Sequence, residues 1–303
     1  MQRFKNILYV NDPENNRSAL ERAIRLARLN EADLSIVSVS EDFSFPGMAL
    51  LKTFKNIKED QLQDLLEKIP SEDINITSRH LTGIPFIEII KQVQAKDIDL
   101  VIKPVEGKGG LSDMLFGSED MHLLRKCPCP VWLVKPAKRK TYTSILAAVD
   151  PDPSEEENAE LNQLILDLAS SLAIRENAEL HILHAWEMPY EATLRSGRSP
   201  LPKSEIDKMV SDVRTQHRGW LDQLIAGYDF EELPFKTHLI KGAPGDILAD
   251  QAHKKSADLL VMGTVARTGI PGFFIGNTAE KTLSKVDCSV LTVKPGAFLT
   301  PVD

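Results

Sequence analysis

The stretch that decides the fold is Asp258-Leu259-Leu260-Val261-Met262-Gly263-Thr264-Val265-Ala266, which Gly276-Asn277-Thr278 follows after nine intervening residues. Its apolar run predicts a buried strand, and the small residues after it predict a turn and a loop that ends at the start of a helix. Glycine lets the backbone approach a ligand closely, and the N–H groups of a helix N-terminus attract phosphate. This order of parts predicts an anion-binding pocket.

A weaker copy of this stretch occurs in the first half of the chain. Asp99-Leu100-Val101-Ile102-Lys103-Pro104 has the same pattern of an acid and a strand, and Gly107 and Gly117-Ser118 follow it in the same order. The start of each half repeats too, since Ile7-Leu8-Tyr9-Val10-Asn11-Asp12-Pro13 matches Ile145-Leu146-Ala147-Ala148-Val149-Asp150-Pro151. Such self-similarity indicates two copies of one structural unit.

Each copy alternates apolar strand patterns with amphipathic helix patterns, which predicts a parallel sheet with helices on both faces. We expect an α/β protein of two tandem doubly wound five-stranded parallel sheets, each with strand order 3-2-1-4-5. A basic link at 137–141 separates the copies, so the predicted domains are residues 1–137 and 141–297. Helices are predicted at 19–29, 53–69, 118–126, 159–173, 204–226 and 277–285.

Composition and charge exclude several classes of partner. The chain has 303 residues, of which 42% are hydrophobic, and a net charge of −8, so we expect no general surface for nucleic acid or an anionic membrane. It contains no apolar run of the roughly 20 residues that a bilayer span requires. Its N-terminus enters a strand pattern at once, so we also expect no signal peptide.

Neither metal chemistry nor catalysis is indicated by the sequence. Cys127, Cys129 and Cys288 give no disulfide framework, and the seven histidines show no metal-ligand spacing with acids. No Ser-His-Asp arrangement can be read from the linear order. We therefore expect no catalytic residue, no metal ligand and no enzyme activity, with weak nucleotide hydrolysis as an alternative that phosphate release would reveal.

The second copy carries the predicted nucleotide site. In open α/β sheets, ligands bind beyond the carboxyl ends of the strands where strand order reverses, which here lies between strands one and four. Asp150 ends strand one and can accept hydrogen bonds from an exocyclic amine or a ribose hydroxyl, and Gly263 ends strand four. The predicted nucleotide-binding residues are Asp150, Gly263, Arg267, Gly276, Asn277 and Thr278.

Two features of this site have a reading that needs no ligand. The stretch 150–154 also reads as a turn and helix cap. Asn277-Thr278-Ala279-Glu280 also reads as a capping box, with Asn277 at the cap and Glu280 three residues later. A cap and a phosphate site can coexist, because some N–H groups of the first turn have no partner inside the helix.

The first copy is less suited to phosphate. Pro104 replaces the turn glycine and fixes φ, while Glu119 and Asp120 would satisfy the helix dipole themselves and repel phosphate oxygens. We still regard it as a degenerate site, whose residues would be Asp12, Gly107, Gly117 and Ser118.

A second kind of ligand stays open at this stage. The loop Pro271-Gly272-Phe273-Phe274-Ile275 is unusually apolar, and the connection 187–202 is long enough to form a mobile flap. These features favour an alternative function, a carrier or scaffold that holds an apolar or lipid-like ligand without ATP.

The glycine loops resemble those of the universal stress protein family, whose nucleotide-binding members share the pattern G-x2-G-x9-G-[S/T]. The second copy matches it at Gly263 and Gly276 and departs from it at Ala266 and Asn277. The first copy departs from it at Pro104. The resemblance covers nearly the whole chain in two copies, and the stretches 122–132 and 263–280 are similar to the tandem-domain group of this family.

The resemblance implies an adenine nucleotide alpha-hydrolase-like fold and a bacterial, cytoplasmic protein with a role in surviving stress such as DNA damage or starvation. Some family members bind ATP and others do not, so ATP with Mg²⁺ is an expected ligand of the second copy but not a required one. Family dimers often pair through their fifth strands. This implies an intramolecular pseudo-dimer around Trp132 and Leu291 and leaves open a homodimer of the tandem chain.

Overall fold

The structure of the protein, a computed structural model, describes residues 4–12, 17–41, 48–69, 73–105, 116–136, 141–154, 156–196, 200–230, 233–264, 275–296 and 298–302. The first half of the chain forms β1 (Asn6–Val10), α1 (Arg17–Asn30), β2 (Asp33–Ser40), α2 (Met48–Glu67), β3 (Ile76–Thr82), α3 (Pro85–Ala95), β4 (Leu100–Pro104), α4 (Ser118–Lys126) and β5 (Val131–Val134). The second half forms β6 (Ser144–Ala148), α5 (Glu156–Glu176), β7 (Glu179–Trp186), α6 (Glu191–Arg195), α7 (Lys203–Ala226), β8 (Phe235–Lys241), α8 (Pro244–Lys254), β9 (Leu259–Gly263), α9 (Asn277–Leu283) and β10 (Ser289–Val293).

The chain divides into two compact units, the first of which includes two segments from the second half of the chain. The first unit comprises Met1–Lys140, Thr264–Gly276 and Asp287–Asp303, and the second comprises Thr141–Gly263 and Asn277–Val286. The predicted domain boundaries, 1–137 and 141–297, follow the sequence repeat and not the packing, so they stay a prediction.

The sheet of the first unit has the order β3-β2-β1-β4-β5-β10. The first five strands are parallel in the predicted 3-2-1-4-5 order, and helices connect them as a doubly wound α/β fold requires. Strand β4 is buried along its whole length, whereas β3 is only partly buried at the sheet edge. Inner strands of a parallel sheet are covered on both faces, which explains why β4 begins with three apolar residues, Leu100, Val101 and Ile102.

The sheet of the second unit has the order β9-β6-β7-β8, and its strands are all parallel. The chain runs from β6 to β7 and β8 on one side, then returns to β9 on the other side of β6. The predicted fold class, a tandem doubly wound α/β protein, is confirmed.

The fifth strands of the two halves pair with each other. Strand β10 runs antiparallel to β5, with Leu291 opposite Trp132 and Val290 opposite Leu133. Trp132 and Leu291 are both fully buried, so this pairing covers what would be an exposed strand edge. The predicted pairing of the fifth strands around Trp132 and Leu291 is confirmed.

Equivalent turns in the two halves require glycine. Gly83 and Gly242, which follow β3 and β8, have φ of 144° and 141°, a region that residues with a Cβ rarely adopt. The same backbone path therefore recurs at the same place in both repeats. Among the helices in the described part of the chain, none combines the length and the apolar character needed to cross a bilayer.

Candidate functional site

Asp150 is held by a side-chain amide at the carboxyl end of β6. Its backbone N–H donates to Asn162 Oδ1 at 2.9 Å, and Asn162 Nδ2 donates to its carbonyl oxygen at 2.7 Å. Asn162 lies on α5 and is only 4% exposed, so both bonds are shielded from water. We call this pair of bonds the asparagine clamp. It fixes the backbone of Asp150 through atoms other than its carboxylate.

Gly263 lies under the same helix. Ala147 of β6 pairs with Val261 of β9, so continuing this register by two residues brings the ends of the two strands side by side. A Cβ added at Gly263 would lie 2.6 Å from Cδ2 of Leu161, the residue that precedes Asn162 on α5. Consecutive residues of α5 thus contact both strand ends, as the predicted site requires.

The physical reason for Gly263 differs from the predicted one. The sequence assigns it a sharp backbone turn, but its φ lies outside the left-handed region, which in the described glycines is adopted only at Gly83 and Gly242. Close packing of Leu161 accounts for the missing side chain. The strand ends of β6 and β9 are also the place where strand order reverses, and ligands of open α/β sheets bind at such a point.

The start of α9 falls at the predicted capping box. The helix begins at Asn277, the residue that the sequence places at the cap, and Glu280 lies in its first turn, so the capping box stays a prediction. Asn277 and Thr278 are exposed in the first turn, where helix geometry leaves N–H groups without intrahelical partners. Arg267 lies outside the described residues, as does the family-pattern position Ala266.

The loop between β9 and α9 is closed at its base. The N–H of Gly276 donates to the carbonyl oxygen of Thr264 at 3.0 Å, and the N–H of Thr264 donates to Val293 at 3.2 Å. Thr264 is 1% exposed, and its Oγ1 has no hydrogen-bond partner among the described residues. The sequence did not single out Thr264.

A histidine pair supports the end of β6 from β7 and α7. His184 Nδ1 lies 3.3 Å from the carbonyl oxygen of Val149, so this nitrogen carries the proton. His184 Nε2 then accepts from Nδ1 of His217 at 2.7 Å. Burial lowers the pKa of both rings, while the charge of Asp150 opposes that shift. The structure thus keeps a neutral imidazole pair beside the Asp150 backbone.

The first half has an ion pair between β4 and α4, the elements that correspond to β9 and α9 in the second half. Lys103 Nζ on β4 lies 2.8 Å from Oδ1 of Asp120, in the first turn of α4, and both side chains are buried. Glu119 lies in the first turn of α4, as the sequence predicted, and its Oε2 also accepts the N–H of Phe86 at the start of α3 at 3.2 Å. The predicted repulsion of phosphate by Glu119 and Asp120 stays a prediction.

The remaining residues of the degenerate site are only partly placed. Asp12 follows β1 and is half-buried, Gly117 stands at the cap position of α4 with ordinary φ of −67°, and Ser118 begins the helix. Gly107 lies outside the described residues. The structure therefore places the loop ends of this half but not its centre.

The features that favoured an apolar ligand are described only in part. Ile275 is buried, and the rest of the apolar loop lies outside the described residues. The 187–202 connection contains α6, in which Glu191 bonds Lys241 of β8 and Arg195 bonds Asp207 of α7. These bonds tie the described part of the connection to neighbouring elements. Within the described ranges, no group of three His, Cys, Asp or Glu side chains could hold a metal ion.

Fold and site together define a class: a tandem α/β protein whose halves each place an acid after the first strand and a glycine before the last helix. The chain belongs to the Universal stress protein family, whose sequence profile matches residues 3–135 and 141–294.

Relatives match the tandem arrangement over its full length. The chain is 30% identical to the Universal stress protein E homolog of Haemophilus influenzae, covering 97% of this chain and 98% of that protein. It is also 30% identical to Universal stress protein E of Escherichia coli (strain K12), covering 100% and 98%. A solved structure of a functionally unknown protein from Pseudomonas aeruginosa PAO1 has a TM-score of 0.73 at 27% identity, covering 97% and 94%. The predicted resemblance to the tandem group is confirmed.

Proposed function

We propose that this chain is a non-catalytic stress-response protein that binds one adenine nucleotide at the second half. The observation that carries the proposal is the asparagine clamp, which fixes Asp150 at the strand-order reversal, under the same helix that packs on Gly263. A residue whose backbone is held in both directions presents its side chain at a defined place, and defined placement lowers the entropic cost of binding.

The nucleoside end of the ligand would be recognised by Asp150. A carboxylate can accept hydrogen bonds from ribose hydroxyls or from an exocyclic amine, and these are the donors of an adenine nucleoside. The histidine pair keeps the adjoining Val149 carbonyl occupied, so the strand end does not offer that acceptor to the ligand. Recognition by carboxylate therefore favours a hydroxyl- or amine-bearing ligand over an apolar one.

The phosphate end would lie against the start of α9. Gly276 brings no side chain there, and the N–H groups of Asn277 and Thr278 stand in the first helical turn. Arg267 would add positive charge from the loop. Mg²⁺ would enter together with the phosphates of the nucleotide, which supply part of its oxygen ligands.

Isothermal titration with ATP and Mg²⁺ tests the proposal. We expect one nucleotide per chain for the wild type and no measurable heat for Asp150→Ala. The matched control is Asp12→Ala, which removes the equivalent acid of the first half and should leave binding unchanged. Absence of heat up to several mM ATP in the folded wild-type protein contradicts the proposal.

The alternative, a carrier or scaffold for an apolar or lipid-like ligand, rests on the buried Ile275 and the apolar residues before it. Native mass spectrometry of the purified protein separates the two functions. A co-purified apolar species supports the carrier, whereas a protein that emerges empty and then takes up ATP supports the nucleotide site. Phosphate release above the buffer blank, lost in Asp150→Ala, would instead support the alternative of weak nucleotide hydrolysis.

Location and assembly complete the proposal. We propose a cytoplasmic protein, which fractionation of the cells that make it would test. We also propose that the β5–β10 pairing serves as the intramolecular counterpart of a family dimer. Light scattering would then show a single tandem chain, and a stable homodimer would show that a further surface is in use.

A further inference from the structure

A buried pair of thiols lies between the end of α4 and the start of β5. Cys127 and Cys129 are separated only by Pro128, and their Sγ atoms are 3.6 Å apart. Cys127 is fully buried and Cys129 is 9% exposed, so both thiols are buried and Cys129 is the more accessible of the two. A disulfide requires the sulfurs to approach to about 2.05 Å.

A buried lysine supplies positive charge next to the pair. Lys294 Nζ donates to the carbonyl oxygens of Leu124 and Cys127, both at 2.8 Å, and so caps the end of α4. Burial lowers the pKa of Lys294 to about 8, while the neighbouring thiols favour its charged form. The Lys294 amine is thus held at the end of α4 by the carbonyl group of Cys127, the residue that also carries one of the two sulfurs.

The environment of Cys127 promotes its ionisation. Burial works against the thiolate, but the hydrogen bond with Cys129 and the charge of Lys294 outweigh it, so the pKa of Cys127 lies below its ordinary value. The thiolate is the reactive form of cysteine, and positive charge beside it is typical of redox-active thiols. Geometry and charge therefore point in the same direction.

We propose that Cys127 and Cys129 form a redox site that a hydroperoxide oxidises to an intramolecular disulfide. The thiolate of Cys127 attacks a peroxide oxygen, the O–O bond breaks, and Cys127 becomes a sulfenic acid while the other oxygen leaves as water or an alcohol. The sulfur of Cys129 then attacks the sulfenic sulfur and expels water. Two thiols and one hydroperoxide thus give one disulfide, one water and one alcohol, or a second water from hydrogen peroxide.

The repeat provides a control within the same chain. Cys288 stands in the second half where Cys129 stands in the first, before the fifth strand, and it is buried as well. The residue two places before it is Val286, so the second half has one thiol where the first has two. Oxidation that depends on the pair must spare Cys288.

The test is oxidation of the full chain with hydrogen peroxide, followed by alkylation under denaturing conditions and mass spectrometry. We expect loss of two hydrogen atoms, confined to the tryptic peptide that begins at Cys127, with Cys288 still alkylated and dithiothreitol reversing the change. Cys288→Ser should keep this product, and both Cys127→Ser and Cys129→Ser should abolish it. Alanine variants at the same positions, checked by thermal unfolding, cover a serine variant that fails to fold.

Two results would overturn the proposal. The first is a folded wild-type protein in which all three thiols remain alkylatable after peroxide. The second is a loss of thiols that includes Cys288 to the same extent, since that outcome reports general oxidation of an unfolded chain. Neither result bears on nucleotide binding, because the thiol pair contains none of the residues of the proposed nucleotide site.

Discussion

The two halves of the chain have equivalent strand ends, but the side chains at these ends differ in charge. In the first half, Lys103 and Asp120 form a buried ion pair between β4 and α4. By repeat position their counterparts in the second half are Met262 and Ala279, which carry no charge. A carboxylate at the start of a helix satisfies the same groups that a phosphate would. At this pair of positions the first half has an internal ion pair, whereas the second half has two uncharged side chains.

The largest expected effect comes from breaking that ion pair on one side. Asp120→Ala removes the carboxylate beside the buried ammonium of Lys103, which costs about 3–5 kcal/mol of unfolding free energy. The double variant Lys103→Met with Asp120→Ala installs the residues of the second half and should recover most of that loss. Urea unfolding measures both. If Asp120→Ala is as stable as the wild type, the ion pair does not contribute to the stability of the first half.

The asparagine clamp should give the next largest effect, and only in the second half. Asn162→Leu leaves the Asp150 N–H and C=O without their buried partner, which costs about 1–3 kcal/mol in stability. We also expect ATP affinity to fall about tenfold or more, which corresponds to about 1.4 kcal/mol. Asn162→Asp, which keeps an acceptor for the N–H, should retain part of the affinity. Unchanged affinity in folded Asn162→Leu would separate the clamp from binding.

Acid should weaken the second half through its histidines. Burial lowers the pKa of His184 and His217, and it lowers the pKa of His238 on β8 to about 4. A folded pKa below the unfolded value means that the unfolded chain binds more protons, so this stability is present above about pH 6.5 and is lost as the pH falls from there towards 4. Thermal unfolding across this range should show the decline. His238→Gln should flatten it, and an equal slope in that variant would contradict the assignment.

The smallest expected effect is at Gly263. An added methyl group meets the end of a flexible side chain, Leu161 Cδ2, and not the backbone, so Gly263→Ala should cost only about 1–2 kcal/mol. Combining it with Leu161→Ala should make the two changes non-additive, because the second removes the clash. A double-mutant cycle in urea measures that coupling, and simple additivity would show that the two residues do not compete for space.

Most of the fold follows from the order of patterns along the chain. The predicted helices at 204–226 and 277–285 correspond to Lys203–Ala226 and Asn277–Leu283, because amphipathic periodicity and proline or glycine mark their ends. The strand ends that carry Asp150 and Gly263 could be placed side by side from topology alone, since parallel strands end at the same edge of a sheet. The relative positions of the strand ends could therefore be predicted from the sequence.

The side chains that other elements contribute next to these strand ends could not be predicted from the sequence. Asn162 reads as one more polar helix residue until α5 is docked on β6. Lys103 and Asp120 are 17 residues apart, and His184 and His217 are 33 apart, so each contact depends on how a helix packs on a strand. Helical periodicity indicates which face is buried but not which atom it meets.

The stoichiometry of nucleotide binding tests the central claim most directly, namely that one half binds and the other is closed by its own ion pair. Equilibrium dialysis against ATP and Mg²⁺ should give one nucleotide per wild-type chain, none for Asp150→Ala and one for Asp12→Ala. Two nucleotides per chain, or binding that is lost in folded Asp12→Ala and kept in Asp150→Ala, would contradict the account.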